Sequence, residues 1–256
     1  MLVLLSCAKT MSETSKVKVP LTTVPRFQKE ASEIALQMSQ FSVDEPERLL
    51  RINARMVENY KRYQAFHAEG TSELPALLAY TGIVFKRLNA KDFSKEEFEY
   101  AQEHLRLTSF CYGLLRPLDV IRSYRLEGDV VLPEPGNQTM FSYWKSRLTD
   151  VFIEDIKKAG GILCNLASDE MKSLFDWKRV EREVRVVTPE FQVWKNGKLA
   201  SIVIYIKMSR GEMTRFILKN RIENPEDLKS FSWEGFEFNE SLSDEKKFVF
   251  TNGKEI

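Results

Sequence analysis

Apolar positions along this chain change their spacing more than once, and each change marks a different kind of element. An unbroken run, MLVLL at positions 1–5, reads as a strand buried on both faces. Polar residues with lysines fill Ser12 to Thr23, which reads as a surface loop. From Pro25 the spacing lengthens to three and four. Phe27, Ala31, Ile34 and Met38 share one helical stripe, and Leu49, Ile52, Met56, Tyr60 and Tyr63 share another after Pro46. Leu74 to Tyr80 predicts a shorter helix ended by Gly82. Ser94 and Glu97 form an S-x-x-E capping box, and Phe98, Ala101, Leu105, Thr108 and Tyr112 continue its stripe, so a helix is predicted over Lys95 to Tyr112. Gly113 stops it, and Pro117 suits the first turn of a short second helix with Leu118, Val120 and Ile121 inward. After a loop with Pro133, Pro135 and Gly136, Phe141 to Ala159 is helical again and ends at Gly160-Gly161.

The final third turns to strand-like alternation. Ile162 to Asn165 is a short apolar run, and Ser168 to Phe175 reads as a helix entered through a polar turn. Val184 to Thr188 and Phe191 to Trp194 alternate, and Asn196-Gly197 is a strong hairpin signal leading into a strand over Leu199 to Ile206. Ser209 and Glu212 make a second S-x-x-E box, predicting a helix with Met213, Phe216 and Ile217 inward. Phe236 to Phe238 and Phe248 to Phe250 return as strands. With no internal repeat and no long Gly/Ser/Pro linker, the pattern predicts one mixed α/β domain over residues 1–256.

Charge changes the picture locally rather than globally. The net charge is +1, so the chain is no basic coat for nucleic acid, and phosphate binding would have to use patches. Tyr205 to Arg221 carries a net +4 and Ile222 to Ile256 a net −5. Cys7, Cys111 and Cys164 are odd in number and lack any C-x-x-C spacing, which predicts neither a disulfide framework nor a zinc site and fits a reducing cytoplasm. The apolar opening is too short for a signal peptide core, and no stretch is long enough to span a bilayer. His67 and His104 lack a second ligand at i+3 or i+4, so no metal site is predicted. No cofactor is expected either.

The segment GLLRPLDVIRSYRLE, Gly113 to Glu127, places Arg116, Arg122 and Arg125 around a turn. Two readings stay open: an anion site built from side chains and free N–H groups, or a surface turn with arginines paired to Asp119 and Glu127.

Four segments together resemble the peroxide stress protein YaaA family: SCAKT at Ser6 to Thr10, HLRLTSFCYGLLRPLDVIRSYRLE at His104 to Glu127, NLASDE at Asn165 to Glu170 and SRGEMTRFILKNR at Ser209 to Arg221. The chain departs from the family pattern at Cys7, where the family opening has proline, and in YTGIVFKRL, where Phe85 and Arg87 replace tyrosine and glycine. The resemblance implies an unusual α/β fold with a helix-hairpin-helix element, DNA binding in a positively charged cleft, and a role in limiting iron-driven oxidative damage. Our placement of that element is Glu97 to Arg122, around the single Gly113.

For such binding the candidate phosphate contacts are Lys9, Arg116, Arg122, Arg125, Arg210 and Arg215, with Ser6, Thr10, Asn165, Ser168 and Gly211 lining the cleft. Arg210 and Gly211 are expected at a helix start, where the dipole favours an anion. The expected partner is duplex or distorted DNA held without base specificity, by a monomer with no membrane contact. The alternative is an enzyme acting on a phosphate-bearing or nucleotide substrate in the same cleft. For that chemistry Ser6 and Lys9 supply an S-x-x-K pair.

Overall fold

The apolar run at the start forms strand β1 (Leu2–Leu5), all four residues of which are at most 1% exposed in the computed structural model, which describes residues 1–40, 63, 65–133 and 136–255. After β2 (Thr10–Met11) comes helix α1 (Gln28–Gln40), burying Ala31, Ile34 and Met38 as the spacing predicts. The helix predicted over Leu49 to Tyr63 falls almost wholly outside the described residues, although Tyr63 is buried.

Leu74 to Tyr80 is split where one helix was predicted: β3 (Glu73–Pro75), α2 (Ala76–Ala79) and β4 (Tyr80–Thr81). Then come α3 (Ile83–Leu88) and α4 (Lys95–His104). The capping box at α4 is complete, with Glu97 N–H donating to Ser94 Oγ at 3.3 Å and Ser94 N–H to Glu97 Oε2 at 2.7 Å.

The prediction fails beyond His104. Leu105 to Tyr112 does not continue the helix: β5 (Leu105–Ser109) pairs in parallel with β1, and β6 (Gly113–Leu115) returns antiparallel to it. The expected second helix is β7 (Val120–Arg122), paired with β3. Glu97 to Arg122 is therefore a helix followed by a strand hairpin, not a helix-hairpin-helix. LRLTS satisfies both a period of two and a period of three to four, and pairing with the wholly apolar β1 selects the strand.

The small pair β8 (Val131–Leu132) and β9 (Gln138–Thr139) leads into α5 (Met140–Lys158), capped by Thr139. β10 (Ile162–Asn165), α6 (Asp169–Lys172) and α7 (Trp177–Glu183) follow, so the predicted Ser168 to Phe175 helix is a single turn. The two predicted strands at Val184 to Trp194 are one, β11 (Arg185–Lys195), turning through Asn196-Gly197 into β12 (Lys198–Ala200). The chain becomes helical at Val203, where a strand was predicted, and α8 (Val203–Asn220) runs past Ser209 without interruption. Ser209 is thus buried in mid-helix rather than at a cap, and Glu212 pairs with Arg87 at 3.5 Å. β13 (Phe236–Phe238) and β14 (Lys247–Glu255) close the chain as predicted.

The main sheet runs β13-β14-β11-β10-β1-β5-β6, with β12 added on β11. β1 is parallel to both neighbours, and the chain reaches β5 on one side before crossing to β10 on the other. That reversal of strand order leaves a crevice beyond the carboxyl ends of β1, β5 and β10, the usual ligand position in α/β sheets.

A buried charge cluster ties this sheet to α5. Arg106 of β5 donates from Nε to Asp155 at 2.7 Å, and Arg26 reaches the same carboxylate at 3.1 Å. Burial alone would raise the Asp155 pKa, but the two guanidinium groups outweigh it and hold the carboxyl below its usual range. The folded carboxyl thus keeps its charge at pH values where the unfolded one is protonated. Its contribution is complete above about pH 4 and is lost as pH falls through the lowered folded value. We expect Asp155→Asn to lose about 3–5 kcal/mol at neutral pH and to flatten the acid limb, as read by urea titrations between about pH 2 and 7.

Candidate anion site

Three chain segments meet beyond the carboxyl ends of β1 and β10: Ser6 to Thr10, Leu166 to Met171, and Tyr124 to Glu127. With Thr81 to Phe85 and two residues of α8 they enclose a cavity of about 480 Å³. Ser6 and Ser168 pin its floor, since Ser168 N–H donates to Ser6 Oγ at 2.9 Å and the two hydroxyls lie 3.2 Å apart. Thr81 donates to Thr10 across the rim at 2.8 Å.

Four cations face this space. Lys9 Nζ lies 3.0 Å from Glu127 Oε2, and Arg125 Nη2 lies 2.5 Å from Glu127 Oε1 while Nη1 donates to the Lys9 carbonyl at 3.0 Å. Arg125 is 9% exposed, and its Nε–H has no acceptor among the described residues. Lys207 and Arg210, three residues apart on one face of α8, complete the set. The Arg210 guanidinium makes no ion pair among the described residues, its Nε is buried without an acceptor, and burial lowers its pKa against a weaker pull from Asp169. Against four cations stand Glu127 and Glu170, a net of +2. The walls are mostly apolar, formed by Leu5, Ile83, Phe85, Phe110, Leu166 and Met171.

Of the six predicted phosphate contacts the fold brings together Lys9, Arg125 and Arg210. The other three are held elsewhere by the fold. Arg116 grips Asp119 at 2.8 Å, Arg122 binds Glu73 at 2.7 Å and the Phe66 carbonyl, and Arg215 holds Asp92 at 2.6 Å. Ser6, Thr10 and Ser168 line the cavity. Asn165 sits in the core, its Oδ1 accepting from Ala167 N–H at 3.3 Å.

Gly211 serves packing rather than an anion: a Cβ there would lie 2.3 Å from the Val84 carbonyl oxygen, so its absence lets α8 and α3 touch. Neither it nor Arg210 stands at a helix start, because α8 begins at Val203. The S-x-x-K pair is not assembled, with Ser6 bound to Ser168 and Lys9 to Glu127.

Sequence reasoning missed Lys207 as a cation of the cavity, and it named Glu127 as a partner for the arginines of its segment without the Lys9 that shares it. The signal for Lys207 was present in its i, i+3 spacing to Arg210, but only a helix beginning at Val203 makes that spacing meaningful.

A sequence profile described as peroxide stress protein YaaA matches residues 1–242. The chain belongs to the YaaA family. A UPF0246 protein of Bacteroides thetaiotaomicron is 86% identical over 254 residues, covering 99% of each chain. One from Bacteroides fragilis is 78% identical over 255 residues, again covering 99% of both. A relative from Crocosphaera subtropica is 37% identical over 253 residues, covering 98% of this chain and 99% of its own.

Where this member departs from the YaaA pattern, the structure shows where each side chain goes. Phe85 is a cavity wall packed against Tyr80, with ring centroids 5.4 Å apart. Arg87 points to α8, over Trp233 at 5.2 Å and beside Glu212. Cys7 lines the cavity, and its N–H donates to Thr108 Oγ1 at 3.2 Å. Burial pushes its thiol up to about 12, partly offset by Thr108, so at neutral pH it is a thiol rather than the thiolate that peroxide attacks. Among the described residues no group of His, Cys, Asp and Glu is placed to hold a metal ion, and no helix is long and apolar enough to cross a membrane.

Two outcomes follow. Carboxymethylation of Cys7 at pH 8, followed by peptide mass spectrometry, should run at least about 100-fold slower than for an ordinary thiol of pKa about 8.5, and Lys9→Ala should not change it. Gly211→Ala should lower stability by about 1–3 kcal/mol in urea unfolding, through the clash with Val84.

Proposed function

We propose that this YaaA-family protein serves the peroxide stress response by holding DNA through its sugar-phosphate backbone at the mouth of the cavity, without base specificity, as a cytoplasmic monomer. One observation supports this reading above the others. Lys9, Arg125, Lys207 and Arg210, from three separated stretches of chain, converge on one opening, and neither Lys207 nor Arg210 makes an ion pair among the described residues. Backbone phosphate needs cations and N–H donors, and each neutralised phosphate releases counterions. In this reading the protein limits iron-driven damage by covering DNA rather than by holding iron.

The unpaired cations set the expected salt dependence. Two phosphates neutralised by Lys207 and Arg210 predict a slope of log K against log salt of about −2, from about −0.9 per phosphate. Titration of a labelled duplex at several salt concentrations should give that slope for the wild-type chain. Lys207→Ala and Arg210→Ala should each make it shallower by about one unit. Arg116→Ala, which removes a guanidinium held by Asp119, should leave it unchanged. Absent or salt-independent duplex binding overturns the proposal.

A further inference from the structure

A duplex resting on the rim leaves the interior of the cavity unexplained. Its volume of about 480 Å³ lies within the range of small-molecule sites, roughly 300–1,000 Å³, and far below what a double helix requires. Two observations inside it point to a ligand. Arg210 makes no ion pair among the described residues, its Nε is withdrawn from water without an acceptor, and only a weak pull from Asp169 offsets that burial. Arg125, nine-tenths buried, lines the same space with an Nε–H that has no acceptor. The net charge of +2 matches a phosphate monoester, which carries about −1.5 to −2 at neutral pH. Inorganic phosphate would satisfy the cations and leave the apolar walls of Phe85, Phe110 and Met171 bare. A neutral heterocycle would do the reverse.

We propose that the cavity takes one nucleotide, with its phosphate on the Arg210 guanidinium and Lys207 and its base against Phe85, Phe110 and Met171. This rests on the phosphate-binding reading of the same site and adds a defined occupant. The nucleotide comes either free, as a nucleoside monophosphate, or as an unpaired unit of a strand, since a base out of its stack is held by enclosure and apolar contact.

The test uses the full chain. By calorimetry, deoxyadenosine 5′-monophosphate should bind at least about tenfold more tightly than deoxyadenosine or inorganic phosphate, because each lacks half of the contacts. Arg210→Ala should weaken that binding by about 10- to 100-fold, the usual effect of losing a hydrogen bond to a charged group. Ile83→Trp, which fills the cavity from its wall, should abolish nucleotide binding; thermal melting confirms that both variants fold. A duplex with one unpaired terminal nucleotide binding more tightly than a blunt duplex identifies the strand as the source. Equal affinities together with monophosphate binding identify the free nucleotide. Wild-type duplex binding without monophosphate binding or preference for the unpaired end overturns this inference and leaves the DNA reading standing. Monophosphate binding no tighter than inorganic phosphate overturns it as well. Monophosphate binding without duplex binding overturns the DNA reading alone.

Discussion

Parallel pairing on both sides of β1 is the constraint from which the rest of the structure follows. Four consecutive apolar residues, none more than 1% exposed, have no solvent face, so the strand must lie mid-sheet and be covered on both sides. With β5 and β10 both running in its direction, the loops after all three strands leave from one end of the sheet. The segments beginning at Ser6, Phe110 and Leu166, distant in sequence, are thereby brought to one crevice.

The allocation of arginines shows how that crevice acquires its charge. Most arginines of the motif segments are consumed by the fold: Arg106 by Asp155, Arg116 by Asp119, Arg122 by Glu73 and Arg215 by Asp92. Burying a guanidinium is tolerable when a carboxylate and good hydrogen bonds compensate it, and these four have both. Arg125 is half of this kind, paired with Glu127 but with one N–H to spare. Arg210 differs from these, with its Nε withdrawn from water and no ion pair among the described residues, and it stands beside the cavity. A stability argument explains the first group and leaves Arg210 without a structural reason, which is why it carries the functional reading.

Correct and incorrect sequence readings divide along a physical line. Helices with a self-contained signal were legible, such as α1 with its apolar stripe and α4 at its capping box. So was the Asn196-Gly197 hairpin, whose backbone requirement is local: Asn196 has φ 52° and Gly197 φ 71°. LRLTS at β5 and VIYI at the start of α8 were read the wrong way round. The first has a spacing that allows helix or strand and is held as a strand by β1. The second is rich in β-branched residues, yet it winds into a helix that packs on α3 through Gly211. The helix-hairpin-helix placement fell with the first of these errors.

The residues that carry charge and the wholly buried first strand could be read from composition and spacing, because each depends on chemistry within a few positions. The pairing of arginines with Asp119 and Glu127 was within local reach, whereas Glu73 for Arg122 and Asp92 for Arg215 lie tens of residues away or more, and so does whatever leaves Arg210 beside the cavity. Only the chain crossing from one side of β1 to the other settles those distances, and with them the difference between an arginine held in an ion pair and one left beside the cavity.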